Sequence, residues 1–287
     1  MAGSGFGERL AASIEATTPL CVGIDPSASL LSSWGLADDA TGLEVMGRRV
    51  VEAVVNTAAA VKPQVAFFER HGAAGYVALE RVLADAREAG LVVVADAKRG
   101  DIDSTMSAYA DAWLGAGSPL EADAVTTTAY LGIGAMGNLV ELARQGAKGI
   151  FVVVASSNSE GRTLQRAQTE SGRRVEEELL AELAELNEGE RAETAATTGS
   201  FGAVVGATRT AGELDLASLH GPFLVPGVGA QGATPDDVAT IFAGCRPGTV
   251  LVNASRSVLG QGPTHEGLRN AARQLGDELA VALGATT

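Results

Sequence analysis

A single-domain (β/α)8 barrel spanning residues 1–287 is the fold this sequence predicts. Eight short apolar runs recur along the chain, residues at helical spacing fill the gaps between them, and the runs are continuous rather than alternating. Continuous Val/Ile-rich strands are buried on both faces, which indicates a parallel sheet. Eight strand–helix units in a chain of this length suit a closed barrel. A doubly wound open sheet is the alternative, weakened because no GxGxxG follows the first strand.

The expected strands are, in order, Leu20 to Ile24, Ala60-Val61-Lys62 with its continuation, Leu91 to Ala95, and Ala122 to Thr127. Gly149 to Ala155, Gly202 to Gly206, Phe223 to Val225 and Thr249 to Asn253 complete the set. Leu43 to Ala59, Tyr76 to Ala89 and Leu139 to Ala143 have the apolar spacing of helices. The Gly3-Ser4-Gly5 start predicts a loose end. A long helical insert is expected at about 157–200, where the leucines and charges of Arg173 to Leu183 predict an amphipathic, largely solvent-exposed helix, with Gly189 near its end.

Composition removes several functional classes. A formal charge of −14 argues against a nucleic-acid surface and against an anionic membrane face, though not against one anionic small ligand in a local positive pocket. Cys21 and Cys245 are far apart, with no CxxC, so neither a disulfide framework nor a structural zinc is expected. No apolar stretch of signal-peptide or membrane-spanning length occurs, so a cytoplasmic location is the expectation. His71, His220 and His265 are scattered and read as ordinary surface or packing residues.

The charge that remains is distributed unusually. Only three of the 21 basic residues are lysines, and two of them, Lys62 and Lys98, stand at expected strand ends. Arg cannot give up its proton at useful pH, whereas Lys can donate one and recover it, so proton transfer or imine chemistry is indicated. The third, Lys148, precedes a strand and reads as a solvated turn residue. Asp96 and Lys98 are two apart, so on a regular strand they point to one side, with Asp101 in the loop beyond Gly100. Asp25 and Lys62 end the first two strands, each followed by a proline. Such a Lys/Asp cluster keeps its lysines protonated and its aspartates anionic. A purely structural ion pair is the alternative for the D-x-K element.

A second constellation comes late. Pro226-Gly227-Val228-Gly229-Ala230-Gln231-Gly232 follows the seventh strand, and Arg256 closes Asn253-Ala254-Ser255-Arg256 after the eighth. Loops seven and eight are the usual phosphate site of such barrels. Glycine allows backbone N–H groups close to phosphate oxygens, and Arg supplies a fork of donors. Thr234 and Pro235 predict a helix start. Ser156-Ser157-Asn158 and Thr126-Thr127-Thr128 face the same mouth and either read a polar ring or cap the next segment.

Asp96-Ala97-Lys98-Arg99-Gly100-Asp101-Ile102-Asp103, with Gly23-Ile24-Asp25-Pro26, Val61-Lys62-Pro63-Gln64, the glycine-rich loop and Arg256, closely resembles the orotidine 5'-phosphate decarboxylase family in its longer bacterial form. The resemblance implies a (β/α)8 homodimer that turns orotidine 5'-phosphate into UMP and carbon dioxide without metal or organic cofactor. It implies Lys98 as proton donor to C6, Asp96 facing the substrate carboxylate, and Lys62 holding the charge network and touching the ribose. Asp101, Ile102 and Thr105 would reach the partner subunit's site. Asp25 would bind ribose hydroxyls and Ser156 the pyrimidine edge, with Ser157 the alternative. Pro226 opens the phosphate loop, and Gln231 with Arg256 would hold the phosphate. Ser255 departs from many relatives, which have glycine before this arginine. A Schiff-base aldolase on the same barrel and a non-catalytic nucleotide sensor remain open on the residues alone.

Overall fold

The computed structural model describes residues 4–229 and 232–284. Eight parallel strands close a barrel in chain order: β1 (Leu20–Ile24), β2 (Ala60–Pro63), β3 (Val92–Arg99), β4 (Ala124–Thr127), β5 (Gly149–Ala155), β6 (Phe201–Val205), β7 (Phe223–Pro226) and β8 (Val250–Ala254). Closure is made by β1, which pairs with β2 on one side and β8 on the other. Seven strands lie within two residues of their expected bounds at either end. The exception is β3, which runs through the charged motif to Arg99 instead of stopping at Ala95.

Helices differ from expectation where burial and periodicity diverge. The run Leu43 to Ala59 is helical only within Ala40–Val54, because the chain turns at Asn56 with a φ of +60°. Ala58 and Ala59 are apolar because they enter the barrel, Ala59 N already donating to Leu20 O at 3.0 Å. Thr234 caps the helix Pro235–Ile241 as expected, in a reciprocal box with Asp237. Among the described residues, no helix is long and apolar enough to cross a membrane.

The start of the chain is not loose from Gly5 onward. Gly5 caps the helix Phe6–Ala16, whose Phe6, Leu10 and Ile14 recur every four residues and are buried. These side chains close the amino-terminal end of the barrel, in one cluster with Cys21, Ala60, Val94, Phe151 and Leu251. Phe6 meets Phe151 edge-on at 5.9 Å. A Cβ at Gly149 would lie 2.2 Å from the Phe6 ring, so glycine there makes room for the plug. Lys148 beside it is not a solvated turn residue, since its side chain is 12% exposed and pairs with Glu121 at 2.9 Å.

The segment between β5 and β6 overturns the solvent-exposed reading of its helix. The helix Val175–Thr194 buries Leu180 and Leu183, and also Glu176, Asn187 and Glu190. Asn187 donates to Phe201 O and Leu219 O and accepts from Phe201 N, all within 2.9 Å. Glu190 accepts from both the backbone and the hydroxyl of Ser200. These polar residues satisfy the backbone at the start of β6, a use that a hydropathy pattern reads as solvation.

Replacing Phe6 with Ala removes the plug and is expected to cost about 3–5 kcal/mol, read as a shift in the urea midpoint at unchanged slope.

Candidate active site

At the carboxyl ends of the strands lies a cavity of about 310 Å3, the place where barrels carry their chemistry. Its floor is a three-member charge row. Asp96 uses both oxygens fully: Oδ2 accepts from Lys62 Nζ at 2.5 Å and from Gln64 Nε2 at 3.0 Å. Oδ1 accepts from Thr126 Oγ1 at 2.9 Å and from Lys98 Nζ. Lys62 and Asp96 are buried, whereas the Lys98 side chain is 47% exposed toward the mouth.

Strand alternation is not what aims Lys98. The β3–β4 register shifts between Ala95 and Arg99, and Lys98 has a φ of +48°, unusual for a residue with a side chain. Three contacts hold this turn. Lys98 N donates to Thr126 Oγ1 at 3.0 Å, Arg99 O accepts from Thr128 N at 3.0 Å, and Arg99 Nη1 reaches back to Ala97 O at 2.7 Å. The Arg99 guanidinium is itself tied to Glu69 and lies over the Tyr109 and Trp113 rings. The arginine of the motif is therefore a backbone staple beside the lysine. Such strain persists only where the surroundings over-determine it.

Burial alone would raise the Asp96 carboxyl, but Lys62 and then Lys98 outweigh it and hold the group well below the usual carboxylate range. Burial likewise disfavours the Lys62 ammonium, and Asp96 and Asp25 overcome it, lifting Lys62 above an ordinary lysine. Both effects keep the buried Lys62–Asp96 pair charged.

The orotidine 5'-phosphate decarboxylase / HUMPS family profile matches residues 18–271. A Streptomyces coelicolor orotidine 5'-phosphate decarboxylase is 48% identical over 98% of this chain and 99% of its own. One from Salinispora tropica is 47% identical over 97% and 99%. Among solved structures, a Streptomyces avermitilis protein assigned to the same enzyme superposes with a TM-score of 0.91, at 48% identity over 99% of this chain and 98% of its own. Leishmania donovani OMP decarboxylase gives 0.74 at 28% identity, over 99% and 100%.

The chain belongs to the orotidine 5'-phosphate decarboxylase / HUMPS family.

Of the residues expected for this family, Asp25, Lys62, Asp96, Lys98, Ser156, Pro226 and Arg256 line the one cavity. Both Ser156 and Ser157 line it; Ser156 Oγ donates to Asn158 Oδ1 at 2.6 Å and accepts from Gln165 Nε2 at 2.7 Å. Asp101, Ile102 and Thr105 do not line the chain's own cavity. Asp101 accepts from Ile102 N at 2.8 Å, while Ile102 and Thr105 are exposed. Gln231 lies outside the described residues. The loop around it turns through Gly227, Gly229 and Gly232, all at positive φ. Among the described residues, no histidine lines the cavity. Among the described residues, no cluster of His, Cys, Asp or Glu is suited to hold a metal ion.

Sequence reasoning missed Gln64, which shares Asp96 with Lys62, and left Thr126 undecided although it fixes both Asp96 and the Lys98 backbone. Their places at strand ends beside charged residues were the available signal.

The folded Asp96 carboxyl is lowered, so its stabilisation is present above the unfolded value of about 4 and fades as pH falls toward the folded one. Lys62 is raised, so its share is present below about 10 and is lost as pH rises through the folded value. Asp96→Asn is expected to flatten the acid limb of a urea-midpoint profile. At pH 7 it should cost about 3–5 kcal/mol, because Lys62 is left buried without its partner.

Proposed function

We propose that this protein is a decarboxylase that converts orotidine 5'-phosphate to UMP and carbon dioxide, supplying the pyrimidine nucleotide pool, with Lys98 as the proton donor. The observation that carries this reading is the Lys62–Asp96–Lys98 row at the floor of the cavity, in a chain whose near-full-length relatives bear that enzyme name.

The reaction breaks the bond between ring carbon C6 and the carboxyl carbon. Carbon dioxide leaves, and the electron pair stays on C6 without a neighbouring electron sink. A fixed ammonium beside C6 stabilises that developing charge and then delivers its proton to it. The resulting Lys98 amine recovers a proton from solvent. The two lysines suit different tasks. Lys62 is buried, and its ammonium is favoured by Asp96 and Asp25, which makes it a fixed charge and a poor acid. Lys98 reaches the mouth and can be reprotonated. Asp96, held by four donors, cannot turn away from a substrate carboxylate placed against it.

We assign the remaining contacts by the same resemblance: Asp25 to ribose hydroxyls, Ser156 to the pyrimidine edge, and Pro226, Gln231 and Arg256 to the phosphate end. Phosphate binding far from C6 supplies energy that the chemical step can use. The working unit in this reading is a homodimer in which Asp101, Ile102 and Thr105 complete the partner's cavity. Ile102 is 50% exposed, and Tyr130 and Leu131, in the loop after the neighbouring β4, are 81% and 53% exposed, which supports a covered apolar face there. The buried Cys21 thiol, pushed up to about 12 by burial, and the unpaired Cys245 accord with a reducing cytoplasm.

In EDTA, wild-type protein should deplete the ultraviolet absorbance of the orotate ring; no depletion would reject this reading. Lys98→Ala should lower kcat by at least about 10,000-fold. Arg256→Ala should act mainly through KM. For the shared site, Asp101→Ala mixed with Lys98→Ala after dissociation should regain activity that neither has alone. Absence of any gain, with mixed dimers demonstrated, contradicts sharing.

A further inference from the structure

The amino-terminal end of the barrel, opposite the charge row, holds a second cavity of about 380 Å3. Three segments build it: the helix Val175–Thr194, the turn ahead of β7 and the loop ahead of β8, which contribute Arg191, His220 and Arg246. In a chain of formal charge −14, three basic side chains line this cavity and, among the described residues, no carboxylate does. Leu216 and Phe223 supply apolar lining.

The fold leaves these basic groups largely unused. Arg191 Nε is buried without a hydrogen-bond partner, and its guanidinium makes no ion pair among the described residues. Glu8 is close enough to feel the Arg246 charge, but its Oε1 is taken by Thr197 N at 2.7 Å, Thr197 Oγ1 at 2.6 Å and Thr198 N at 2.9 Å. His220 has a φ of +52°, and that conformation is held from outside. Its carbonyl accepts from Gly199 N, and the preceding Leu219 carbonyl accepts from Asn187, both at 2.9 Å. A backbone outlier fixed by its surroundings and a buried donor without an acceptor are each signs of a site.

A set of donors calls for an acceptor-rich anion. A phosphate monoester brings three terminal oxygens and a charge of roughly −1.5 to −2 at neutral pH, a match for two guanidinium forks and an imidazole. We propose that this cavity is a second ligand site, separate from the catalytic one, which binds a phosphate monoester of a small organic molecule through Arg191, His220 and Arg246. The organic part lies against Leu216 and Phe223. The bound ester clamps the helix Val175–Thr194 to the starts of β7 and β8, so its occupancy stabilises the fold whatever fills the carboxyl end.

The chain has three histidines, so the His220 ring signals are assignable in proton NMR by comparison with His220→Gln. Full-length protein is titrated with phenyl phosphate at constant ionic strength. The His220 signals should shift along a saturating curve, with half-saturation at about 1 mM or below. In Arg191→Ala and in Arg246→Ala the half-saturation should rise about tenfold, the size expected for one charge-assisted contact. Inorganic phosphate should bind at least about threefold more weakly than phenyl phosphate, because it leaves the apolar lining uncovered. His71, which follows β2 and lies 3.4 Å from Asp38, reports the opposite end of the barrel, and with His265 it shows that each variant is folded. An absent or unsaturating His220 shift, or a half-saturation unchanged in both arginine variants, overturns the site. Equal binding of the two probes overturns the assignment of an organic ester. None of these readouts depends on turnover or on nucleotide binding at the carboxyl end.

Discussion

Everything at the carboxyl end of this barrel is organised around one anion. The Asp96 carboxylate is buried, yet it stays charged because two ammonium groups and two neutral donors take up its oxygens. Removing any of these leaves charge in a poorly solvated place, where the desolvation penalty is large. The dependence runs both ways. Lys62 is raised by Asp96 and Asp25, and Lys98 is aimed by the oxygen it touches. The row is therefore a unit, each charge held in place by its neighbour.

A unit of this kind needs a backbone that presents it. Here the sheet does not do so by regular alternation. β3 leaves its register after Ala95 and carries Lys98 through a left-handed conformation, with Thr126 and the Arg99 staple holding the turn. Local backbone cost is accepted at one position because Glu69, Tyr109 and Trp113 fix the arginine that closes it. The opposite end of the barrel is stabilised by ordinary means, with an aromatic plug packed under Gly149. The charge row and the aromatic plug thus occupy opposite ends of one fold.

The strands were legible in the sequence because burial on both faces writes an uninterrupted apolar run, as in Gly149 to Ala155. The lysines were legible for a different reason: in a chain so rich in arginine, a lysine at a strand end stands out. Two kinds of feature were not legible. Asn187, Glu176 and Glu190 look solvated, yet they are buried because their partners are backbone groups or charges distant in sequence. The bulge at Lys98 depends on Thr126 on β4 and on Glu69 at the end of the helix Val65–Glu69, so no local pattern records it. Asp101, Ile102 and Thr105 lie outside their own chain's cavity, so the shared site proposed for them has no record in the geometry of a single chain.

The central claim is that Lys98, and no other group, exchanges a proton with C6 of the bound nucleotide. It is tested most directly by incubating UMP with the protein in deuterium oxide and following the C6 hydrogen by proton NMR. Wild type should wash that hydrogen out into solvent, while Lys98→Ala, still binding UMP, should leave it in place. Washout that continues in Lys98→Ala at the wild-type rate would contradict the account.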